Sequence, residues 1–436
     1  MCIGEKTVLH GSFRISRTIA KRWAEKEKKR MGQSSESLNA KVEFIILLAK
    51  SLQKCGAAAH NLERALASAG RGLGIGHQFI AFPTGMIGSF SEGDAHRSTV
   101  VRFKPGEIDL SKLTQIDEAA DQVLAGHISV EAGSERIRAI NAQPDDYPKF
   151  LQVMAYGMAS GGFVTALHGS LYDLIGAMLL GITIGIMDVY GRRFAVYEQL
   201  FAAAAACLAT VAGTQLGKSL PEVSADLVIL AGIVVLLPGL TLIIAFVELS
   251  TKNLIAGTAR LAGATGDLLK LVFTIAITKR ILAADLVLGL PTGQYALPPW
   301  TEIVGVIGLA IGFIILFKVN PKHLLSAFIV SVIAYTVAKF GAAKLGTELS
   351  FFATGALVAS ASNLIARLFH RPGLITLLPG IILIVPGSIN YRGMTSMFQN
   401  NVMDTVQTSF SVVIIAISLV AGLFFGNTIV PPRRSL

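Results

Sequence analysis

From Phe150 onward the chain is a succession of apolar stretches separated by short segments that hold most of the local charge. Each stretch approaches the roughly 20 residues that an α-helix needs to cross a hydrocarbon core about 30 Å thick. In lipid every backbone N–H and C=O must be satisfied internally, so only helices or a closed barrel can span. Only 8% of the residues are aromatic while 43 are glycine, and small residues let helices approach closely where lipid supplies no hydrophobic drive for association. The expected fold is therefore an α-helical polytopic membrane protein, preceded by a small α/β domain.

Ten spans are expected, near Phe150–Gly169, Leu171–Tyr190, Ala195–Gly217, Ala225–Glu248, Asp267–Leu290, Glu302–Lys318, Leu324–Phe340, Leu349–Phe369, Gly373–Ile389 and Val406–Phe425. They group into two five-span modules, residues 150–292 and 298–428. Leu236–Ile243 (LLPGLTLI) matches Leu377–Ile384 (LLPGIILI) at seven of eight positions when Leu and Ile are equated. If these are the fourth helices of two five-helix repeats, the odd number inverts the second repeat relative to the first. Inverted repeats with interrupted helices are a recurrent transporter architecture, with the substrate site at the repeat interface.

Residues 1–40 read as a basic flexible tail and residues 41–149 as a cytosolic domain. Val42, Ile45, Ile46, Ala49 and Leu52 recur at helical spacing, as do Leu62, Ala65, Leu66 and Ala69. Gln78–Phe90, broken by Pro83-Thr84-Gly85, and Thr99–Phe103 read as short strands around a turn. Leu113, Ile116, Ala120, Val123 and Leu124 mark a third helix, and Ser129 is placed to cap a fourth.

The first 41 residues hold ten Lys or Arg against four Glu, and a basic segment beside membrane spans marks the cytosolic face and anionic headgroups rather than nucleic acid. The loops on the side of the termini carry Arg192, Arg193, Lys252, Arg260, Lys318, Lys322, Arg367, Arg371, Arg433 and Arg434; the opposite loops carry only Lys218, Lys339, Lys344 and Arg392. The positive-inside rule then puts both termini in the cytosol, with the plasma membrane or an organelle membrane as the location. Cys2, Cys55 and Cys207 suggest neither a disulfide framework nor a metal cluster, and no cofactor is expected.

A Pro-Gly pair inside an apolar helix removes a backbone donor and frees carbonyls that need a partner. Pro238, Gly239, Pro379 and Gly380, with the polar Thr241, Asn363, Ser388 and Asn390, are the candidate substrate-binding residues. An amino acid needs donors for its carboxylate and acceptors for its ammonium, and such groups supply both. Among acidic residues, Asp173, Asp188 and Glu198 lie at span ends, where a solvated carboxylate is expected. Glu248 and Asp267 flank a segment holding Asn253, Gly257 and Arg260, which makes these four polar residues candidates for coupling or gating.

Enzyme signatures fail on inspection. Gly213–Ser219 has three residues between its glycines where a phosphate-binding loop needs four. His60 and Glu63 can share a helical face, but without a nucleophile or metal-ligand set nearby they read as a polar contact within the fold.

Phe44–Leu52, followed by Gly56–Glu63, resembles the opening motif of the threonine/serine exporter family, including its fungal pheromone-regulated membrane protein branch. So do Phe79–Pro83 with Ser89-Phe90, Leu237-Pro238-Gly239 through Glu248-Leu249, and Asn253–Leu261. The resemblance implies a cytosolic N-terminal domain, two five-helix modules and gradient-driven export of threonine, serine or similar small solutes, as by an antiporter. Asn61 departs from the arginine expected there. A small amino acid and membrane lipid are the expected partners, a homo-oligomer is left open, and the alternative function is a membrane-anchored scaffold or signalling protein without transport.

Overall fold

A computed structural model of the protein describes residues 38–104, 106–193, 197–283, 297–369, 371–384 and 402–432. Ser388 and Asn390, most of the basic tail and the ends of the fifth and ninth expected spans lie outside the described residues.

The N-terminal domain consists of α1 (residues 38–54), α2 (Ala59–Gly72), strands β1 (Gly76–Phe82), β2 (Gly85–Glu92) and β3 (Ala95–Arg102), α3 (Leu110–Leu124) and α4 (Val130–Ala142). Helix α1 thus takes in residues 38–40, and Leu38 is buried with the core. Val42, Ile45, Ala49 and Leu52 of α1 and Leu62 and Leu66 of α2 are fully enclosed, packed on Ala81, Met86, Phe90 and Val101 of the sheet. The strands form an antiparallel β1-β2-β3 meander whose first turn is Pro83-Thr84. Asp109 and Ser129 accept the Lys112 and Ala132 N–H groups at 2.9 and 3.2 Å, capping α3 and α4.

The remaining elements are α5 (Lys149–Ala166), α6 (Leu171–Gly191), α7 (Tyr197–Ser219), α8 (Ala225–Gly232), α9 (Gly239–Ser250), α10 (Leu254–Ile281), α11 (Thr301–Leu316), α12 (Leu324–Leu345), α13 (Thr347–Phe369), α14 (Leu374–Ile382) and α15 (Val402–Ile429). Among the described residues, six stretches have both the length and the apolarity to cross a membrane: Leu171–Gly191, Leu200–Ser219, Leu254–Ile281, Pro321–Leu345, Thr347–Phe369 and Phe410–Ile429. A seventh is formed if α8 and the segment Val234–Ser250, which meet at a bend of 49°, make one broken span. Helix α11 is apolar but shorter, with 16 residues, about 24 Å at 1.5 Å per residue.

The fifth expected span needs correction. The apolar pattern puts it at Asp267–Leu290, but α10 already begins at Leu254. Arg260 therefore lies inside a helix rather than in a loop, with a carboxylate partner described below. Lys279, near the other end of α10, is buried and paired with Asp226 of α8. Lys339 also leaves the loop tally, since it sits on α12 and pairs with Glu302.

The two LLPG sequences adopt different local structures. Pro238 separates α9 from a short 3₁₀ turn, with Leu237 extended and the Gly239 N–H bonded to the Leu237 carbonyl at 2.8 Å, an inverse γ-turn. Pro379 instead sits within α14. That helix starts only at Leu374, so the bond lost to proline is one in its first turns.

Helix α5 packs between α6 and α11, and α13 lies along α15. Leu240 and Ile243 of α9 enter the cluster formed by Val330, Val358, Ile381, Leu419 and Leu423, so the helix after the Pro238 break crosses into the second half. Val234-Val235 and Ile382-Leu383 meet over one cluster of Ala159, Leu309 and Phe313.

Candidate functional site

Helix α2 carries His60, Asn61, Glu63 and Arg64 toward the membrane helices, where with α9, α13, α14 and α15 it encloses a cavity of about 520 Å³. The membrane-side wall is apolar at Ile243, Ile244, Val247, Leu377 and Leu423 and polar at Thr251, Asn253, Asn363 and Asn427. A mostly apolar hollow with a few convergent polar groups is the usual form of a small-molecule site.

The roof is fixed by Glu248. It lies in the last turns of α9 and is fully buried; its Oε2 accepts Arg260 Nε at 3.0 Å and its Oε1 accepts Arg260 Nη2 at 3.2 Å. The same Oε1 accepts the Ala59 N–H at 2.9 Å. Ala58 gives α2 no side-chain cap, so a carboxylate from the membrane half supplies one, facing the positive end of the helix dipole. The local chain explains the placement. Helix α9 ends in a Schellman turn with Lys252 at φ 63° and the Asn253 N–H bonded to the Glu248 carbonyl at 2.9 Å. Gly257 then lets α10 return close to Leu249; a Cβ there would lie 2.8 Å from Leu249 Cγ. That reversal brings Arg260 back beside Glu248.

On the wall formed by the N-terminal domain, Glu63 accepts the Ala81 N–H at 2.7 Å and ties α2 to β1. Burial raises the Glu63 carboxyl above the usual carboxylate range, partly offset by the Ala81 N–H and reinforced by the negative charge of Glu248. Asn61 accepts from Arg64. His60 Nδ1 is buried and meets no hydrogen-bond partner among the described residues. Burial, with the cations Arg64 and Arg260, pushes the imidazole down from 6.5 to about 4, so His60 is neutral near pH 7.

A pH dependence follows with a definite sign. The native state resists protonation of His60 while the unfolded chain accepts a proton below about 6.5, so the unfolded state binds more protons between those values. Stability should fall as pH drops from about 6.5 toward about 4. Melting curves of the wild type and His60→Gln across that window check this; the variant should lose the part of the slope due to His60.

Of the sequence-predicted site residues, the structure joins Glu248 to Arg260 and places Asn253 and Asn363 in the cavity wall. Asn363 Nδ2 also donates to Asn427 Oδ1 and to the Val430 carbonyl, both at 2.7 Å, linking α13 to α15. Asp267 is exposed, about two turns beyond Arg260 on α10, and pairs with Lys270 at 3.0 Å. Pro238, Gly239, Thr241, Pro379 and Gly380 belong to the helices that flank the cavity but do not line it. Asp173 is buried, where a solvated carboxylate was expected; it closes a capping box with Ser170 and accepts the Ser224 N–H at 2.7 Å. Asp188 is likewise buried, accepting Tyr156, Tyr197 and Arg192.

Asn427 and Thr251 were not singled out from the sequence as site residues. A lone asparagine near the end of the apolar run of α15 was the available signal for the first. Among the described residues no group of three His, Cys, Asp or Glu side chains could hold a metal ion.

Two family models match in tandem. The ThrE model, described as "Putative threonine/serine exporter", covers residues 43–282, and a second, "Threonine/Serine exporter, ThrE", covers residues 302–429. The chain belongs to the threonine/serine exporter family. Pheromone-regulated membrane protein 10 of Eremothecium gossypii is 26% identical over 418 residues, covering 89% of this chain and 56% of that protein. An uncharacterized protein of Schizosaccharomyces pombe is 27% identical over 431 residues, covering 90% and 56%. The Saccharomyces cerevisiae pheromone-regulated membrane protein 10 is 24% identical over 387 residues, covering 84% and 50%. The chain therefore spans about half the length of the curated relatives it matches. No solved structure matches it. The boundary between the two family models falls between α10 and α11, and the cavity draws its walls from both sides of it.

Proposed function

We propose that the protein is a secondary transporter that exports small hydrophilic amino acids of the threonine or serine kind, coupled to a proton gradient. In this reading it has ten spans in two inverted halves of five, with both termini cytosolic and the plasma membrane as its location. The observation that carries the reading is the cavity beneath α2, where Asn253, Asn363 and Asn427 stand opposite Glu63 and Arg64. Amide groups and a guanidinium can take a carboxylate, and amide carbonyls with Glu63 can take an ammonium, within apolar walls that suit a short side chain. The meeting of Val234-Val235 with Ile382-Leu383 over the α5 and α11 cluster supports paired halves.

Proteoliposomes loaded with labelled serine or threonine test the proposal. Efflux should require an imposed proton gradient, and Asn427→Ala should lower its initial rate about tenfold, equal to about 1.4 kcal/mol of barrier. Absence of gradient-dependent flux for a panel of small amino acids, with the protein folded, would overturn it. A mere anchor for the N-terminal domain would tolerate Asn427→Ala without functional change.

A further inference from the structure

A second cavity, of about 800 Å³, opens at the other place where the N-terminal domain meets the membrane helices. There α3 docks on the turn between α11 and α12: the Leu110 and Ser111 N–H groups donate to the Phe317 and Lys318 carbonyls, both at 3.0 Å, and the Tyr147 hydroxyl donates to the Val319 carbonyl at 2.6 Å. Beside this joint the cavity is lined by Arg136 of α4, Lys322 and His323 of the turn before α12, and Arg371 after α13. Its walls are polar, unlike those of the cavity beneath α2.

The charges here are unbalanced. Among the described residues neither Arg136, Lys322 nor Arg371 forms a salt bridge with a carboxylate. Arg136 donates to the Gln122 amide, and Arg371 is held against the imidazole of His323. Two acidic residues reach the same space, Glu118 and Asp146. Asp146 accepts from Ser111 at 2.5 Å and from Asn320 at 3.2 Å, and against the three cations the two carboxylates leave one positive charge in excess. Two guanidiniums and an ammonium that line one cavity and form no ion pair with its carboxylates are the groups that recognise phosphate oxygens.

The rim indicates which source of phosphate fits. Phe369 lines the cavity and is 62% exposed; Leu368, next to it on α13, is 65% exposed, and Leu325, two residues after His323, is 69% exposed. They continue the apolar outer surfaces of α13 and α12. The opening thus lies where a bilayer's headgroups would meet the cytosolic domain, the setting in which basic pockets take phosphorylated lipid heads.

We propose that this cavity is a phosphate-binding site for the phosphomonoester headgroup of an anionic lipid, seated on Lys322 and Arg371 from the membrane half and on Arg136 from the N-terminal domain. Occupancy would bridge the two parts of the molecule and hold the domain in its docked position.

Native mass spectrometry and thermal melting of the full chain in phosphatidylcholine nanodiscs test this, with phosphatidylinositol 4-phosphate, unphosphorylated phosphatidylinositol, or soluble inositol 1,4-bisphosphate added. The phosphorylated lipid should remain bound and raise the melting temperature, and unphosphorylated phosphatidylinositol should do neither. Lys322→Gln with Arg371→Gln should weaken retention at least tenfold. Arg136→Gln alone, at an exposed position that leaves folding intact, should weaken it severalfold, whereas Arg138→Gln on the same helix should have no effect. Soluble inositol bisphosphate binding as tightly as the lipid would keep the phosphate site and overturn the lipid as its source. Retention unaffected by Arg136→Gln and by the double variant, or equal for the two lipids, would overturn the proposal.

Discussion

Replacing Glu248 with alanine is expected to cost about 3–5 kcal/mol, the usual penalty for breaking a buried ion pair by removing one partner. Arg260 would keep its charge in an environment where its side chain is only 15% exposed, and α2 would lose the acceptor for its first-turn N–H. Detergent-solubilised Glu248→Ala should melt at a lower temperature, and its N-terminal domain should become sensitive to limited proteolysis while the membrane helices stay protected. The double variant Glu248→Met with Arg260→Met separates pairing from mere bulk. Since apolar pairs of similar volume often replace buried ion pairs at little cost, it should recover much of the melting temperature but not the docking of α2. A single variant with unchanged melting and unchanged protease pattern would show that the carboxylate does not hold the domain.

The other large effect is expected where α13 and α15 touch backbone to backbone. A Cβ built on Gly422 would lie 2.1 Å from the Phe352 carbonyl oxygen, one on Gly426 would lie 2.3 Å from that of Ala356, and one on Gly355 would lie 2.4 Å from that of Leu419. The obstacle in each case is main chain, so no rotamer change relieves it and the helices must separate along their common length. Gly422→Ala should destabilise by about 1–3 kcal/mol and Gly422→Leu by more, as overpacking does. Close approach through small residues is how membrane helices gain their packing. Gly263 and Gly266 on α10 are internal controls, because nothing lies within 4 Å of a Cβ there. Alanine at either should be neutral or stabilise by about 0.5–1 kcal/mol, the ordinary helix preference over glycine. Thermal melts of the four alanine and leucine variants should therefore separate into two groups.

Much of the architecture could be read from local pattern. The amphipathic spacing of Val42 to Leu52, the strand break at Pro83-Thr84-Gly85 and the Ser129 cap all reappear in the structure, because each depends on neighbours within a few residues. The features that escaped depend on distant partners. Arg260 reads as a loop residue because the expected fifth span starts only at Asp267; the carboxylate that pairs with it is twelve residues earlier, across a chain reversal. Asp173 and Asp188 looked like solvated span ends, yet both are buried by partners on neighbouring segments, Ser224 for one and Tyr156 for the other. The two LLPG sequences are nearly identical, but different lengths of helix precede the proline, and only Pro238 falls at a break. The cavity could not be read at all, since its walls come from residues 60–432 and no stretch of sequence holds more than one side of it.

The contact between Ala59 and Glu248 also sets a timetable for making the protein. Its acceptor is translated 189 residues after its donor, a delay on the order of 10–40 s at ordinary rates of synthesis. Through that interval the nascent N-terminal domain can assemble its own core, but the first turn of α2 has no carboxylate to close it. The domain reaches its final seat only after α9 has been inserted and α10 has brought Arg260 alongside. Biogenesis of this chain therefore runs back from the membrane helices to the N-terminal domain at its last step, and an insertion failure at Pro238 would be felt in a domain completed long before.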